Sequence, residues 1–261
     1  MTRHENPDEA NRQAFSRPEA IAGYERTDGL TSAERRLFAE HIAPGATVLD
    51  LGVGTGRTVP TLSATASVYI GIDYSAEMIA AGRRLHPDAD LRVGDAADLS
   101  AFDDHSFDVV VFSFNGIDYL HPDPKRVRCI DEVARVIQPG GRFVFSSHDP
   151  RALIRRRTPE SGARGTAIAA YQSARRVVDR VPTAAFLRGT GYVHDRVLGG
   201  LETHMATPRQ VVAEIEPHGF RHIQTVPGEG AKGGRWSTSW WYYVFSHSRR
   251  GARPESSRSR R

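Results

Sequence analysis

The chain has 261 residues, 39% hydrophobic and 25% charged, which allows one sizeable core and argues against a disordered protein. No apolar run approaches the roughly 18 residues of a membrane span, and the polar stretch from Met1 to Pro18 lacks the apolar centre of a secretory signal. The net charge is +4, but six arginines against one glutamate from Arg249 to Arg261 give that tail +5 and leave −1 on the rest, which argues against the broad basic face of a nucleic-acid binder.

Met1 to Ser16 reads as a polar, flexible lead. A short helix is predicted over Glu19 to Tyr24 and a longer one over Thr31 to His41, with Pro44-Gly45 as the breaker beyond it. Strands then alternate with helices. Thr47 to Leu51 is the first strand, followed by a glycine-rich turn and a helix from about Arg57. Val68 to Ile72 is the second, and Ser75 caps a helix running to Leu85. Asp90 to Val93 is a short third strand, and the apolar run Phe107 to Phe114 is a fourth, buried on both faces. Pro124 to Ile137 is an amphipathic helix ended by Pro139-Gly140-Gly141, and Arg142 to Ser146 is the fifth strand. This alternation predicts a parallel sheet with right-handed crossovers.

After Pro150 the rhythm breaks. Arg151 to Met205 is arginine-rich, with one predicted helix (Ala167 to Val181) and a glycine-containing stretch from Gly189 to Gly200. Thr207 and Pro208 start a helix that ends at Gly219. Phe220 to Val226 and Trp240 to Phe245 are two further strands forming a hairpin at the sheet edge. Residues 249–261, rich in Ser, Gly, Pro and Arg, are expected to be disordered. The single cysteine, Cys129, permits no internal disulfide and suits a reducing, cytoplasmic setting.

The chemistry concentrates in Val48-Leu49-Asp50-Leu51-Gly52-Val53-Gly54-Thr55-Gly56-Arg57, where a strand runs through three glycines into a helix. Glycine lets the backbone turn sharply and a ligand approach closely, and the helix N-terminus offers free N–H groups. The dinucleotide fingerprint would need glycine at position 57, and no mononucleotide P-loop is present. The acid at Asp50 suits a ligand bearing an ammonium group.

This segment resembles motif I of the class I S-adenosylmethionine-dependent methyltransferases, small-molecule branch, with Val53 at a position usually held by cysteine. Further marks follow in the family's order: Ile70-Gly71-Ile72-Asp73-Tyr74-Ser75, then Ser75-Ala76-Glu77-Met78, Gly94-Asp95-Ala96-Ala97, Phe107-Asp108-Val109-Val110, and Val136-Ile137-Gln138-Pro139-Gly140-Gly141. The resemblance implies an α/β, Rossmann-like, seven-stranded and mostly parallel sheet with helices on both faces and the last strand antiparallel. It implies S-adenosyl-L-methionine as cofactor and S-adenosyl-L-homocysteine as product. Gly52, Gly54, Gly56 and Arg57 would form the cofactor loop, with Asp50 on the methionine ammonium. Asp73 would take both ribose hydroxyls, with Tyr74 beside it. Met78, Asp95 and Ala96 would serve the adenine. Phe114 and Asn115 would line the site, and Tyr24 would close it from an N-terminal lid helix.

The same resemblance divides the chain into a lead with lid helices (1–43), the cofactor-binding core (44–150), a substrate-cap insertion (151–206), a completing helix and hairpin (207–248) and the basic tail. Candidates for the transfer step are His148, favoured as general base because an imidazole titrates near neutral pH, with Tyr119, His121 and Asp118 from the loop after the fourth strand. A sulfonium is a good electrophile, so a base is optional. No metal-ligand spacing is present, and no metal is expected. The arginines of the insertion (151, 155, 156, 157, 164, 175, 176 and 180) fit either an acidic substrate or a solvated helix face. Trp236, Trp240, Trp241, Tyr242 and Tyr243 fit either a wall for a planar acceptor or a buried strand. The leading reading is methyl transfer to oxygen or nitrogen of a small metabolite. A cofactor-binding protein without transfer, and a methyltransferase acting on protein or nucleic acid, are the alternatives.

Overall fold

Along β1 (Thr47–Leu51) Val48 and Leu49 are both buried, and the same holds at Val110 and Val111 of β4 (Phe107–Phe112) and at Phe143 and Val144 of β5 (Ile137–His148). Successive side chains point to opposite faces of a strand, so burial at consecutive positions requires a layer on each side. The computed structural model, which describes residues 6–27, 29–153, 188–195, 201–228 and 238–248, has those two layers. On one face Val48, Val109, Val111 and Val144 pack with Leu37 and Phe38 of α3 (Ser32–His41), Leu62 of α4 (Val59–Thr65) and Ile79 of α5 (Ala76–Leu85). On the other, Leu49, Val110, Phe143 and Phe145 pack with Cys129, Ile130 and Val133 of α6 (Asp123–Val136) and with Val211 and Ile215 of α7 (Pro208–Ile215).

The main sheet has seven strands in the order β3-β2-β1-β4-β5-β9-β8, with β2 at Val68–Asp73, β3 at Asp90–Val93, β8 at Phe220–Pro227 and β9 at Trp240–His247. β1 to β5 are parallel, and β9 is antiparallel to both β5 and β8. The strand order reverses between β1 and β4. In open α/β sheets such a switch point leaves a crevice at the carboxyl ends of the strands.

Four expectations change. The expected flexible lead contains α1 (Pro7–Phe15), with Asn6 as N-cap and Pro7 in the first turn, and Asn11 within it is buried. Pro139-Gly140-Gly141 lies inside β5 instead of ahead of it: the pairing with β4 jumps from Phe107↔Ile137 to Val109↔Arg142, so the motif is an irregularity within a continuous strand. The helix expected from about Arg57 starts at Val59, because residues 54–58 are still turning. The Gly189 to Gly200 stretch contains a strand, β6 (Thr190–Asp195), which pairs antiparallel with β7 (Leu201–Ala206) beyond it, apart from the main sheet. The predicted helix over Ala167 to Val181, the arginines from 155 to 180, Trp236 and the 249–261 tail lie outside the described residues.

The aromatic run at the end of the chain is a buried strand. Tyr243 and Phe245 belong to one core layer and Tyr242 and Val244 to the other, and the Trp241 indole donates to Asp149 at 2.9 Å.

Candidate functional site

At the carboxyl ends of β1, β2 and β4 lies a cleft of about 760 Å³, its open mouth included. Its floor is the glycine turn after β1. Gly52 has φ +61° and a Cβ there would stand 2.7 Å from the Phe112 ring; Gly54 has φ +57° and faces open space. Only residues without a side chain keep this backbone both left-handed and open to a ligand.

Asp73 ends β2 beside that turn. Its Oδ2 accepts from Gly54 N at 3.0 Å and its Oδ1 from Ser75 N at 2.9 Å, which fixes the carboxylate while leaving each oxygen a free lone pair. Burial pushes its pKa up to about 6, against those two backbone bonds. The Tyr74 hydroxyl, also in the lining, is buried and makes no hydrogen bond among the described residues. An under-compensated carboxylate and an unpartnered hydroxyl fit a ligand that brings its own donors. Adjacent ribose hydroxyls are such donors, so these residues suit S-adenosylmethionine.

Of the predicted cofactor residues, Tyr24, Gly52, Gly54, Asp73, Tyr74, Met78, Asp95, Ala96 and Phe114 line this cleft. Asp50, Gly56, Arg57 and Asn115 are not part of the lining. Asp50 lies behind the turn at 1% exposure, accepting from Tyr69 OH at 3.0 Å and from Thr58 Oγ1. Burial, opposed by those hydroxyls, pushes it up to about 6. A hydrophobic strand behind a tight turn carries its acid inward, so Asp50 braces the loop from below. Arg57 forks onto buried Glu34 of α3 at 2.6 and 2.7 Å, and its guanidinium stands 4.7 Å over the Phe114 ring, one step removed from the cleft. Glu34 also completes a capping box with Thr31. Gly56 packs under His86.

The lid is built from three segments. Tyr24 comes from α2 (Pro18–Glu25), Phe15 from α1, and Tyr119 from the 3₁₀ turn Gly116–Tyr119; the Phe15 ring meets Tyr119 at 4.9 Å and Tyr24 at 6.3 Å. Asn11 clips α1 down. Its amide donates to Tyr119 O at 3.1 Å and Glu202 O at 2.9 Å and accepts from Glu202 N at 3.0 Å, so one side chain joins α1, the loop after β4 and β7.

Tyr119 lines the cleft; His148, Asp118 and His121 are not part of its lining. Fully buried Asp118 accepts from Ser147 Oγ at 2.7 Å, His148 N at 2.7 Å and His148 Nδ1 at 2.8 Å, with Arg126 3.6 Å away. Burial opposes its ionisation, yet the histidine bond and the guanidinium hold it well below the usual carboxylate range. A carboxylate has no proton to give, so the proton in this bond belongs to His148 Nδ1. Asn115 Nδ2 stands 3.3 Å from His148 Nε2, on a backbone with φ +63° next to Phe114 at φ +55°. Two successive left-handed non-glycine residues are strained, a feature of loops whose side chains are aimed. The His148 and Tyr119 rings meet edge to face at 6.3 Å. His121 packs on Tyr192 at 4.4 Å.

Sequence reasoning missed Asp8, Phe15 and Lys125 in the lining. The first two were findable, since Asn6-Pro7-Asp8-Glu9 is a helix-start signature. No sequence signal brings Lys125 to this end of the sheet. Among the described residues no group of three or more His, Cys, Asp or Glu could hold a metal, and no helix is long and apolar enough to cross a membrane.

The mostly parallel sheet, with its switch-point cleft, glycine turn and acid at the end of β2, has the Rossmann-like fold found in methyltransferases. Residues 48–141 match the family described as a methyltransferase domain. It is 40% identical over 129 residues to a phosphatidylethanolamine N-methyltransferase of Cereibacter sphaeroides, covering 47% of this chain and 61% of that protein. It is 36% identical over 151 residues to a demethylmenaquinone methyltransferase of Clavibacter sepedonicus, covering 53% and 59%. The chain thus spans about three fifths of the length of these relatives. A SAM-dependent methyltransferase from Methanosarcina mazei shares the fold at TM-score 0.61 and 19% identity, covering 81% of this chain and 97% of that one. A second, from Mesorhizobium loti, has TM-score 0.58 at 20% identity, covering 82% and 98%.

Proposed function

We propose that the chain binds S-adenosylmethionine in the switch-point cleft and transfers its methyl group to an oxygen or nitrogen of a small-molecule acceptor. The observation that carries this reading is Asp73, a buried carboxylate fixed by backbone at the end of β2, facing a cleft floored by Gly52 and Gly54. When bound, the cofactor supplies a methyl group on a positively charged sulfur, open to in-line attack by an acceptor lone pair. Asp73 holds the ribose, Met78 and Ala96 flank the base, and Phe15, Tyr24 and Tyr119 exclude water from above. Most of the acceleration comes from orientation and dryness.

Where the acceptor carries a proton, His148 Nε2 removes it. Asp118 keeps the ring in the tautomer that leaves Nε2 as acceptor and stabilises the imidazolium afterwards. The named relatives act on a phospholipid amine and on a quinone precursor, so the acceptor chamber takes a small organic molecule, with the β6–β7 pair as part of its cap. On this reading the reaction runs in the cytoplasm.

The test is thermal stabilisation by S-adenosylhomocysteine, with NAD as control, in wild type and Asp73→Ala, followed by labelled-methyl transfer to candidate acceptors. At 100 times its dissociation constant the ligand adds roughly 2.7 kcal/mol to wild type, and Asp73→Ala loses most of that shift. Stabilisation by NAD alone would remove the reading. Binding without label in any acceptor would leave a cofactor-binding protein.

A further inference from the structure

Asn115, on the loop after β4, is 7% exposed and sets its carboxamide against the His148 ring. Its Nδ2 lies 3.3 Å from Nε2, while its Oδ1 is buried and has no hydrogen-bond partner among the described residues. The backbone of Asn115 is fixed on both sides. Its N–H donates to Ser146 Oγ at 2.8 Å, and Asp118 N donates to its carbonyl at 3.0 Å. Its φ of +63° is a left-handed conformation that asparagine adopts more readily than most residues. Resting on the reading of His148 as the base, we infer that Asn115 is a positioning residue whose amide serves both charge states of that ring. It donates to Nε2 while the imidazole is neutral and turns over to accept from Nε2–H once the ring is an imidazolium.

A neutral imidazole carries one proton, and the bond from Nδ1 to Asp118 Oδ2 at 2.8 Å commits it. That bond persists when the ring is charged, so a proton taken from an acceptor ends on Nε2 and makes it a donor. The His148 side chain is only 16% exposed, and a buried donor without an acceptor is costly. With Nδ2 facing it, N–H would meet N–H. A carboxamide resolves this with little motion, because a half-turn about its last bond exchanges Nδ2 for Oδ1 within the same volume. The unpartnered Oδ1 is the group that this turn brings into use. The charged groups around the ring lie elsewhere. Asp118 holds Nδ1, with Arg126 of α6 at 3.6 Å and His204 of β7 at 3.9 Å from that carboxylate, and Asp149 at the end of β5 pairs with Arg151. Among the described residues none of these hydrogen-bonds Nε2, which leaves that role to Asn115. An amide with a purely structural role would keep one orientation whatever the charge on His148.

The experiment follows the full chain by NMR from about pH 5 to about pH 9, with labelled nitrogen in histidine and asparagine, for wild type, Asn115→Asp and Asn115→Gly. In wild type a scalar coupling across the hydrogen bond joins the Asn115 amide nitrogen to His148 Nε2 at high pH and vanishes at low pH. The Asn115 amide signals move in step with the ring nitrogens. Asn115→Asp, an acceptor in either orientation, keeps His148 charged down to a proton concentration about tenfold lower than wild type does. Asn115→Gly suits the left-handed backbone and serves if the Asp variant fails to fold; without Oδ1, the imidazolium Nε2 proton exchanges with water about tenfold faster or more. Amide signals that stay constant while His148 changes charge overturn the inference, as do variants that behave as wild type. Addition of S-adenosylhomocysteine to the same samples tests the cofactor reading separately. Binding with an amide that ignores the ring removes only the role of Asn115, whereas an amide that follows the ring in a chain without ligand binding removes the cofactor reading and leaves the pairing in place.

Discussion

The two walls of the cleft are made in different ways. The sheet-side wall is backbone: Gly52 and Gly54 turn at the end of β1, and Asp73 is locked by the N–H groups of Gly54 and Ser75. The lid-side wall is side chain. Phe15, Tyr24 and Tyr119 come from three segments, and Asn11, Lys125 and Arg126 tie those segments together. Backbone geometry at strand ends is set by neighbouring residues, whereas the lid depends on pairings over 100 or more positions, such as Asn11 with Tyr119 and with Glu202, 108 and 191 residues away. The sheet side is therefore set by local backbone bonds, and the lid by contacts between distant segments.

The sharpest blow to the lid side is at Arg126. It is 1% exposed, pairs with Glu214 at 2.6 and 3.0 Å, donates to Ile117 O and stands 3.6 Å from Asp118. Arg126→Met strands two carboxylates and should cost about 3–5 kcal/mol in urea unfolding. A loss under about 1 kcal/mol would mean that this network is solvated and does not order the loop after β4.

On the sheet side the comparison is sharpened by pH. Asp73 sits near 6 because burial favours its neutral form, while ribose hydroxyls bind its charged form. Ligand affinity is then full above about pH 7 and falls as pH drops through 6, by up to tenfold per pH unit, with a proton released on binding below 6. For the fold the sign is opposite: a raised carboxylate pKa favours the empty protein below the unfolded value near 3.8, and that contribution is lost as pH rises through about 6. Calorimetry of S-adenosylhomocysteine between pH 5 and 8 reads the effect, and a flat profile would disprove the role of Asp73 as acceptor. The smallest expected change is at Asn11. Asn11→Ala removes three hydrogen bonds that tie α1 to Tyr119 and Glu202, for roughly 1–3 kcal/mol. It should show first as faster hydrogen exchange in α1; unchanged exchange there would mean that α1 is held by the Phe15 contacts alone.

What could be read in advance follows the same division. Buried strands, the glycine turn and the acids at 73 and 95 were legible because their spacing is local and their residue types are narrow. Asp50 and Arg57 looked like ligand contacts by position in the motif. The fold turns the first inward onto Thr58 and Tyr69 and gives the second to Glu34, a partner 23 residues earlier. The β6–β7 pair was illegible because Gly189 and Gly191 dilute its pattern, and its strands pair with each other apart from the main sheet.

By itself the sequence determined the order of strands and helices, the two-sided burial of the sheet and the carboxylate that ends β2. Each follows from neighbours along the chain and from the need to bury apolar runs. Only the tertiary structure decided that α1 folds over the cleft, that Asp118 orients His148, and that Lys125 joins Asp8 to Asp95. The charged contacts among these join residues 30 to 117 positions apart, and burial keeps water from competing for Asp118.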